Sequence, residues 1–427
     1  MTTSALAARR ERALGRGAPL FYDAPLHLVR GEGAFLFDAD GRRYVDMYNN
    51  VPCVGHANPV VVEAMARQQG TLNVHSRYIG EDIIEFAERL TALQHDGIES
   101  VVFSCTGTEA VENAIRMARA ATGKRGLVCT DATYHGSNDL VGTLTDIARR
   151  QPQTDEVRAF PFAETYRPLV DTLDADALGE AYLETVRSAI AGVEASGAGF
   201  AALIMCSIFA NEGLPDIPAG FMRKAADLAR AAGGLVIADE VQAGYGRTGQ
   251  WWGHDLTGFT PDILVTGKPM GNGLPLAATA ASKDLVDTFR AKTRYFNTFA
   301  SSPLQAAVGM AVLDQIESRD LINNAAHVGA LLLSELQARQ PRHAVIGDVR
   351  GCGLFLGVEM IKGDSDTGPD MDRAIEVGNK LKDRGFLTSH AGRFENIVKI
   401  RPPLVFGEAE ARTFLEAFDD VMDNLDG

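Results

Sequence analysis

A chain of 427 residues with 46% apolar and 23% charged side chains has ordinary globular composition and exceeds what one hydrophobic core holds, so a large and a smaller domain are expected. Its 41 Lys+Arg against 56 Asp+Glu give a formal net charge of −15, which argues against nucleic acid and anionic membranes as partners but leaves room for a local anion site. Glycine is in excess: 43 copies, with no Gly-X-Y period, mark tight turns and close backbone approaches. Cys53, Cys105, Cys129, Cys206 and Cys352 are odd in number and scattered, without C-x-x-C or paired-histidine spacing, so neither a disulfide framework nor a metal site is read, and a reducing cytoplasm is the expected location. Arg9, Arg10, Arg12 and Arg16 are followed by no apolar run of signal-peptide type. The stretch GFAALIMCSIFA falls short of the roughly 18 residues that a membrane span needs.

In chain order, FLFDADGRRYVDM reads as a hairpin about a D-x-D-G turn. SVVFS (100–104) is a short strand, followed by a helix on which Val111, Ala114, Ile115 and Ala118 share a face and which Gly123 ends. LVCT (127–130), FAALIMC (200–206), GLVIAD (234–239) and DILVT (262–266) are further buried strands. Between FAALIMC and GLVIAD, Phe221, Ala225, Leu228, Ala229 and Ala232 mark a helical face. Strands alternating with helices predict a mostly parallel sheet covered by helices. The last hundred residues differ: helices at about 303–317 and 320–339, the glycine-punctuated strand segment VIGDVRGCGLFLGVEM, another helix, the strand NIVKIRPP and an acidic closing helix suggest a smaller α+β unit.

Three local features carry chemistry. Thr106 and Glu109 form a capping box at a helix start, where Gly107 admits a ligand and the hydroxyls of Thr106 and Thr108 join free N–H groups in a phosphate site; an ordinary empty cap is the alternative. Asp239 ends a buried strand, where ligands bind in open α/β sheets, although a helix cap or a pairing with Arg247 would also explain it. Lys268 follows the next strand in a loop stiffened by Pro269 among Gly267, Gly271 and Gly273. Together they are what pyridoxal 5'-phosphate requires: an anchor, a carboxylate for the ring nitrogen and a Schiff-base amine that also serves as general base and acid. No G-x-G-x-x-G stands between a first strand and helix with an acidic residue about 20 positions later, as a dinucleotide-binding oxidoreductase requires.

LVIADEVQAGYGRTG (235–249) with TGKPMGNGLPLAA (266–278) closely resembles the signature of the class III aminotransferases, a branch of the fold type I pyridoxal-phosphate enzymes. The likeness runs nearly end to end, through GEGAFLFDADGRRYVDM, GHANP, TGTEA, TYHGSND, TRYFNTF, GDVRGCGLFLGVE and IRPPL. It implies an α/β fold whose large domain, about 58–325, carries a mostly parallel seven-stranded sheet, with 1–57 and 326–427 forming a smaller α+β domain. It further implies that Gly107 and Thr108 bind phosphate, Tyr134 stacks on the ring, Val241 packs on its other face, Asp239 pairs with the ring nitrogen and Gln242 lies near the ring hydroxyl. His135 is either a support behind these groups or simply packed. Thr298, in N-T-F, is expected to reach the phosphate from the second subunit of a homodimer, and Tyr22 and Asn50 to lie near the substrate.

Departures from the family pattern bear on the substrate. Cys206 and Ser207 stand where a glutamate-proline pair is usual, and Lys399 stands where an arginine is usual, with Arg401 directly before Pro402. Positions two apart share a strand face, so Lys399 and Arg401 form either one basic pocket or a solvated edge. Ala300, Ser301, Ser302 and Pro303 replace the usual G-G-N-P. LNVHSRYIGEDIIEFAERL, the basic pair and Ser207 are similar to a class III subgroup containing phospho-lyases of phosphorylated amino alcohols. The expected activity is transfer of an amino group from an amine or ω-amino acid to a 2-keto acid such as pyruvate, with the phospho-lyase reaction as the alternative.

Overall fold

The computed structural model describes residues 3–145, 154–363 and 365–425. Its central sheet has seven strands: β1 (Ser100–Ser104), β2 (Gly126–Thr130), β3 (Val157–Phe160), β4 (Phe200–Cys206), β5 (Leu235–Asp239), β6 (Ile263–Thr266) and β7 (Ala277–Ala281), in spatial order β1-β7-β6-β5-β4-β2-β3. All neighbours run parallel except β7, which is antiparallel to both β1 and β6. Five of these strands lie where the apolar runs place them. The sequence reading contains neither β3 nor β7: Val-Arg-Ala-Phe is short and mixed, and Ala-Ala-Thr-Ala-Ala lacks the bulky apolar side chains of a recognisable strand.

Alternation along the strands explains the layering. Leu203 and Met205 of β4 face one cluster with helices α2 (Ala175–Ala195) and α3 (Phe221–Ala231), while Ala202 and Ile204 face another with α1 (Gly107–Thr122). With both faces covered, all seven residues of β4 are buried, which is why this strand reads as a continuous apolar run. On α1 the four residues of the expected apolar stripe are all buried, and Gly123 ends the helix in the left-handed conformation (φ 70°).

Two smaller sheets flank this layer. Leu28–Glu32, Phe35–Asp38 and Arg43–Asp46 form an antiparallel meander that includes the expected hairpin; the two-residue strand Phe386–Leu387 joins it in parallel, pairing Phe386 with Val45. Ile346–Cys352, Phe355–Gly363, Ile397–Ile400 and Ser389–Ala391 form the other sheet. The turn of its first hairpin is clamped against the loop after β5. Leu354 N–H donates to the Arg247 carbonyl (3.0 Å), and a Cβ on Gly353 (φ 52°) would stand 2.4 Å from that same oxygen. This contact brings the strand that carries Lys399 toward the carboxyl ends of the central strands.

Candidate active site

The carboxyl ends of β2, β4, β5 and β6 converge on a cavity of about 110 Å³ lined by Gly107, Thr108, Tyr134, His135, Gly136, Cys206, Asn211, Asp239, Val241, Gln242 and Lys268. Its floor is the start of α1. Thr106 Oγ1 accepts from Glu109 N–H (3.1 Å), while the Glu109 carboxylate accepts from the N–H groups of Cys105 (2.7 Å) and Thr106 (3.2 Å). Thr106 is thus consumed by the cap and does not line the cavity. The N–H groups of Gly107 and Thr108 remain without an intrahelical acceptor at the positive end of the helix. A Cβ on Gly107 would lie 3.2 Å from the Val241 methyls, so glycine keeps this cradle open.

Asp239, the last residue of β5, is buried. Its Oδ1 accepts from Val241 N–H (3.0 Å), and its Oδ2 lies 2.7 Å from His135 Nδ1. Arg247 is not its partner: that guanidinium bonds Asn50 Oδ1 and the carbonyls of Leu354 and Pro402. His135 therefore backs the carboxylate rather than merely filling space. Gln242 donates to Asn211 Oδ1 (2.9 Å) and accepts from Arg401, and Asn211 donates to the Tyr134 carbonyl (3.2 Å), so the segments that follow β2, β4 and β5 are held together. Behind them lies Glu212, which is buried, accepts from Thr130 Oγ1 (2.6 Å) and has its carboxyl pushed up to about 7 by burial. No motif singled out Asn211 or Glu212; in sequence they are two polar residues in a loop, and burial alone distinguishes them.

The opposite wall is basic. Lys268 opens a single 3-10 turn after β6 that ends at Asn272, whose amide ties the loop to the Gly55 carbonyl (3.0 Å) and the Val54 N–H (3.1 Å). Among the described residues neither the Lys268 nor the Lys399 side-chain amine makes a hydrogen bond or ion pair. Burial and then the charge of Arg401 lower the Lys268 pKa, partly offset by Asp239, which shifts it toward the free amine needed for nucleophilic and base chemistry. Lys399 is pushed further down, by burial, Arg401 and Lys268. Lys399 and Arg401 are 6% and 4% exposed and stand 5.5 and 5.1 Å from the centre of the Phe355 ring, so the solvated-edge alternative is excluded and the two form one buried basic pair. Cys206 supplies no counter-charge, because burial and the nearby Glu212 and Asp239 hold its thiol well above its ordinary pKa.

Besides Thr106, the expected residues Tyr22, Asn50 and Thr298 lie away from this cavity, as does Ser207. Tyr22 donates its hydroxyl to the Thr388 carbonyl (2.7 Å) and lines a separate apolar pocket with Leu26, Leu36 and Leu387. Asn50 is buried between the Gln242 carbonyl (3.0 Å) and Arg247 (3.1 Å), bracing the loop rather than facing a ligand. Ser207 donates to Glu240 (2.6 Å) in a cluster with His254. Thr298 is exposed within this chain.

Residues 21–422 match the profile of the family described as aminotransferase class-III. The chain belongs to that family. A Drosophila melanogaster protein named alanine–glyoxylate aminotransferase 2-like is 34% identical over 97% of this chain and 86% of its own length. A phospholyase from Arthrobacter, solved in complex with phosphoethanolamine, is 38% identical, covers 99% of this chain and 100% of its own, and has a TM-score of 0.95. A PLP-bound amine transaminase from an uncultivated Pseudomonas species has a TM-score of 0.86 at 28% identity, over 94% of this chain and 95% of its own. The fold is that of fold type I enzymes, and pyridoxal 5'-phosphate is the cofactor. The residues fit it: two free N–H groups and a side-chain-free glycine suit the phosphate, the His135-backed carboxylate suits a protonated ring nitrogen, and Lys268 offers an unpartnered amine.

Proposed function

We propose that this enzyme is a phospho-lyase that eliminates phosphate from a phosphorylated amino alcohol, giving an aldehyde, ammonia and inorganic phosphate with the uptake of water. The observation that carries this reading is the buried Lys399 and Arg401 pair facing Lys268, with a neutral thiol at position 206 where a glutamate would neutralise one charge. A buried guanidinium beside an amine that an incoming dianion would reprotonate matches a phosphate dianion better than a single carboxylate. When bound, the cofactor supplies an electron sink for the bond broken at the substrate's Cα. Lys268 Nζ takes the Cα proton, Asp239 holds the charge of the ring nitrogen, and Lys399 with Arg401 steadies the leaving phosphate as the C–O bond breaks and its electron pair departs. The sequence places transamination first; the burial of the basic pair weighs for the lyase.

Transamination from an amine to a 2-keto acid remains the second reading. It is favoured by the 34% identical relative and by Arg401, whose guanidinium, held by Gln242 and the Tyr48 carbonyl, suits a carboxylate. Phosphoethanolamine and related phosphorylated amino alcohols, offered to the holoenzyme without a keto acid, are expected to release phosphate and ammonia in equal amounts. Alanine formation from amines and pyruvate, with no phosphate release across that panel, overturns the lyase reading.

The same reading takes the enzyme to be a homodimer in which Thr298 of the partner subunit reaches the phosphate. The exposure of Thr298 and of the adjacent Phe299 (78%) supports it. The scattered, odd cysteine count supports a cytoplasmic location. Among the described residues no helix is long and apolar enough to cross a membrane.

A further inference from the structure

Asn211 lines the cavity from the loop between β4 and α3, and the backbone of that loop is strained. Phe209 and Leu214, both bulky, have φ of 47° and 57°, a left-handed conformation that is costly for such residues. The loop keeps it because it is clamped from two sides. Glu212 Oε2 accepts from the Asn211 N–H (3.1 Å), and Glu212 Oε1 accepts from Thr130 Oγ1 at the end of β2 (2.6 Å). From the other side the Gly392 N–H donates to the Asn211 carbonyl (3.2 Å) and Arg350 Nε donates to the Gly213 carbonyl (3.1 Å). Arg350 is itself buried and paired with Asp348 (2.8 Å) and Glu359 (2.7 Å). A Cβ on Gly213 (φ 116°) would stand 2.3 Å from Ile397 Cδ1, so the loop touches the strand that carries Lys399. Backbone strain persists where the surrounding structure over-determines a position, and such positions cluster at functional sites.

The side chain held by this clamp belongs to a chain of hydrogen bonds with a single polarity. A side-chain amide can be turned end for end, so its sense is set by what it meets. At one end the Tyr134 carbonyl only accepts, so Asn211 presents Nδ2 to it (3.2 Å) and keeps Oδ1 for Gln242. At the other end the Arg401 guanidinium only donates, so Gln242 presents Oε1 to it and keeps Nε2 for Asn211 Oδ1 (2.9 Å). Both ends demand the same sense, and turning either amide over sets two acceptors or two donors against each other. With its oxygen committed to Arg401, Gln242 keeps a second N–H that has no partner among the described residues. If Asn211 is removed, a single bond to Arg401 remains and the Gln242 amide can swing about it.

We infer that Asn211 is a positioning residue for the cofactor ring: it holds the Gln242 amide in the one orientation that leaves an N–H donor for the ring hydroxyl oxygen, and it ties that amide to the backbone of Tyr134. An oxygen that meets a donor there is favoured in its proton-free form. The inference rests on the placement of Gln242 near that oxygen, which the family resemblance implies, and it holds for elimination and transamination alike.

The test follows the absorption spectrum of the substrate-free holoenzyme and the rate at which it loses pyridoxal 5'-phosphate. Asn211→Leu keeps the size of the side chain but neither donates nor accepts. It is expected to lose the cofactor roughly 2- to 10-fold faster than wild type, the contribution of one hydrogen bond. Its near-ultraviolet cofactor band, which marks a proton on the ring oxygen, should grow at the expense of the visible band. Asn211→Asp still accepts from Gln242 and should keep the wild-type band ratio. In a Gln242→Leu background the change Asn211→Leu should alter the rate of cofactor loss little, because Asn211 acts through Gln242. Asn211→Ser, too short to reach either partner, carries the test if Asn211→Leu fails to fold. Equal fold-changes in both backgrounds mark a purely structural role and overturn the inference. So does a wild-type spectrum and rate in Asn211→Leu, or a near-ultraviolet shift in Asn211→Asp as large as in Asn211→Leu. No substrate enters this experiment, so failure of the lyase reading leaves its outcome unchanged.

Discussion

On one side of the cavity Asp239 and, behind the lining, Glu212 each have specific hydrogen-bond partners, whereas on the other the side-chain amines of Lys268 and, behind it, Lys399 have none among the described residues and feel the charge of Arg401. A saturated wall suits a group that stays: Asp239 is fixed before the ring arrives, so binding requires little reorganisation. An unsaturated wall is costly while empty and gains most when an anion enters, which suits a ligand that comes and goes. The difference fits a cofactor ring held between Asp239 and the Lys268 amine and, under the proposed reading, an anionic group of the substrate beside Lys399 and Arg401.

The largest break in this contrast is expected from Lys268→Ala, which removes both the attachment amine and the general base. Turnover should fall by at least about 10⁴-fold, measured as phosphate release or amine consumption. Asp239→Asn keeps the shape of the acidic wall but removes its charge, and a loss on the order of 10²- to 10³-fold in kcat is expected, with His135 still in place.

Lys399→Met tests the basic wall alone. Losing one charge-assisted bond, about 1.5–3 kcal/mol, should lower kcat/KM for a phosphorylated substrate by roughly 10- to 150-fold. The same variant should be the more stable protein when no anion is bound. Because the Lys399 pKa in the fold lies below its ordinary value of 10.5, the folded state binds fewer protons than the unfolded one between those two values. The cost of burying Lys399 is therefore full below the folded pKa and fades as pH rises toward 10.5. Melting temperatures should show Lys399→Met above wild type at neutral pH, with a gap that closes on going alkaline, and added inorganic phosphate should raise the wild-type value more than that of the variant. Equal melting temperatures throughout would show that the wall is not strained.

The smallest effect sharpens the contrast from outside the cavity. Ser207→Ala removes the 2.6 Å bond to Glu240 and should cost about 1–3 kcal/mol in denaturant unfolding, with kcat essentially unchanged. A large drop in kcat would move Ser207 into the site.

Much of this was legible in the residues. Asp239 and Lys268 stand at the ends of continuous apolar runs, where parallel strands deliver side chains to a ligand, and the Thr106 and Glu109 box announced the start of α1. The strand β7 was not legible: Thr279 donates to the Ala110 carbonyl of α1 (2.7 Å), and the small residues around it allow that close approach while erasing the usual strand signal. Glu212 was hidden for a different reason. A glutamate in a loop reads as solvated, and what makes it unusual is that β2 and β4 lie side by side, which no local pattern reveals. The same limit misplaced Tyr22, whose partner Thr388 lies 366 positions away.

The pairing of Phe386 with Val45 also dictates an order of assembly. During synthesis at about 5–20 residues per second, the N-terminal meander waits roughly 15 to 70 s for the strand that completes its sheet. All seven strands of the central sheet emerge within that interval, so the cofactor cradle at the start of α1 can form before the segment carrying Lys399 and Arg401 exists. The nascent enzyme thus gains the means to hold its cofactor before it gains the basic wall.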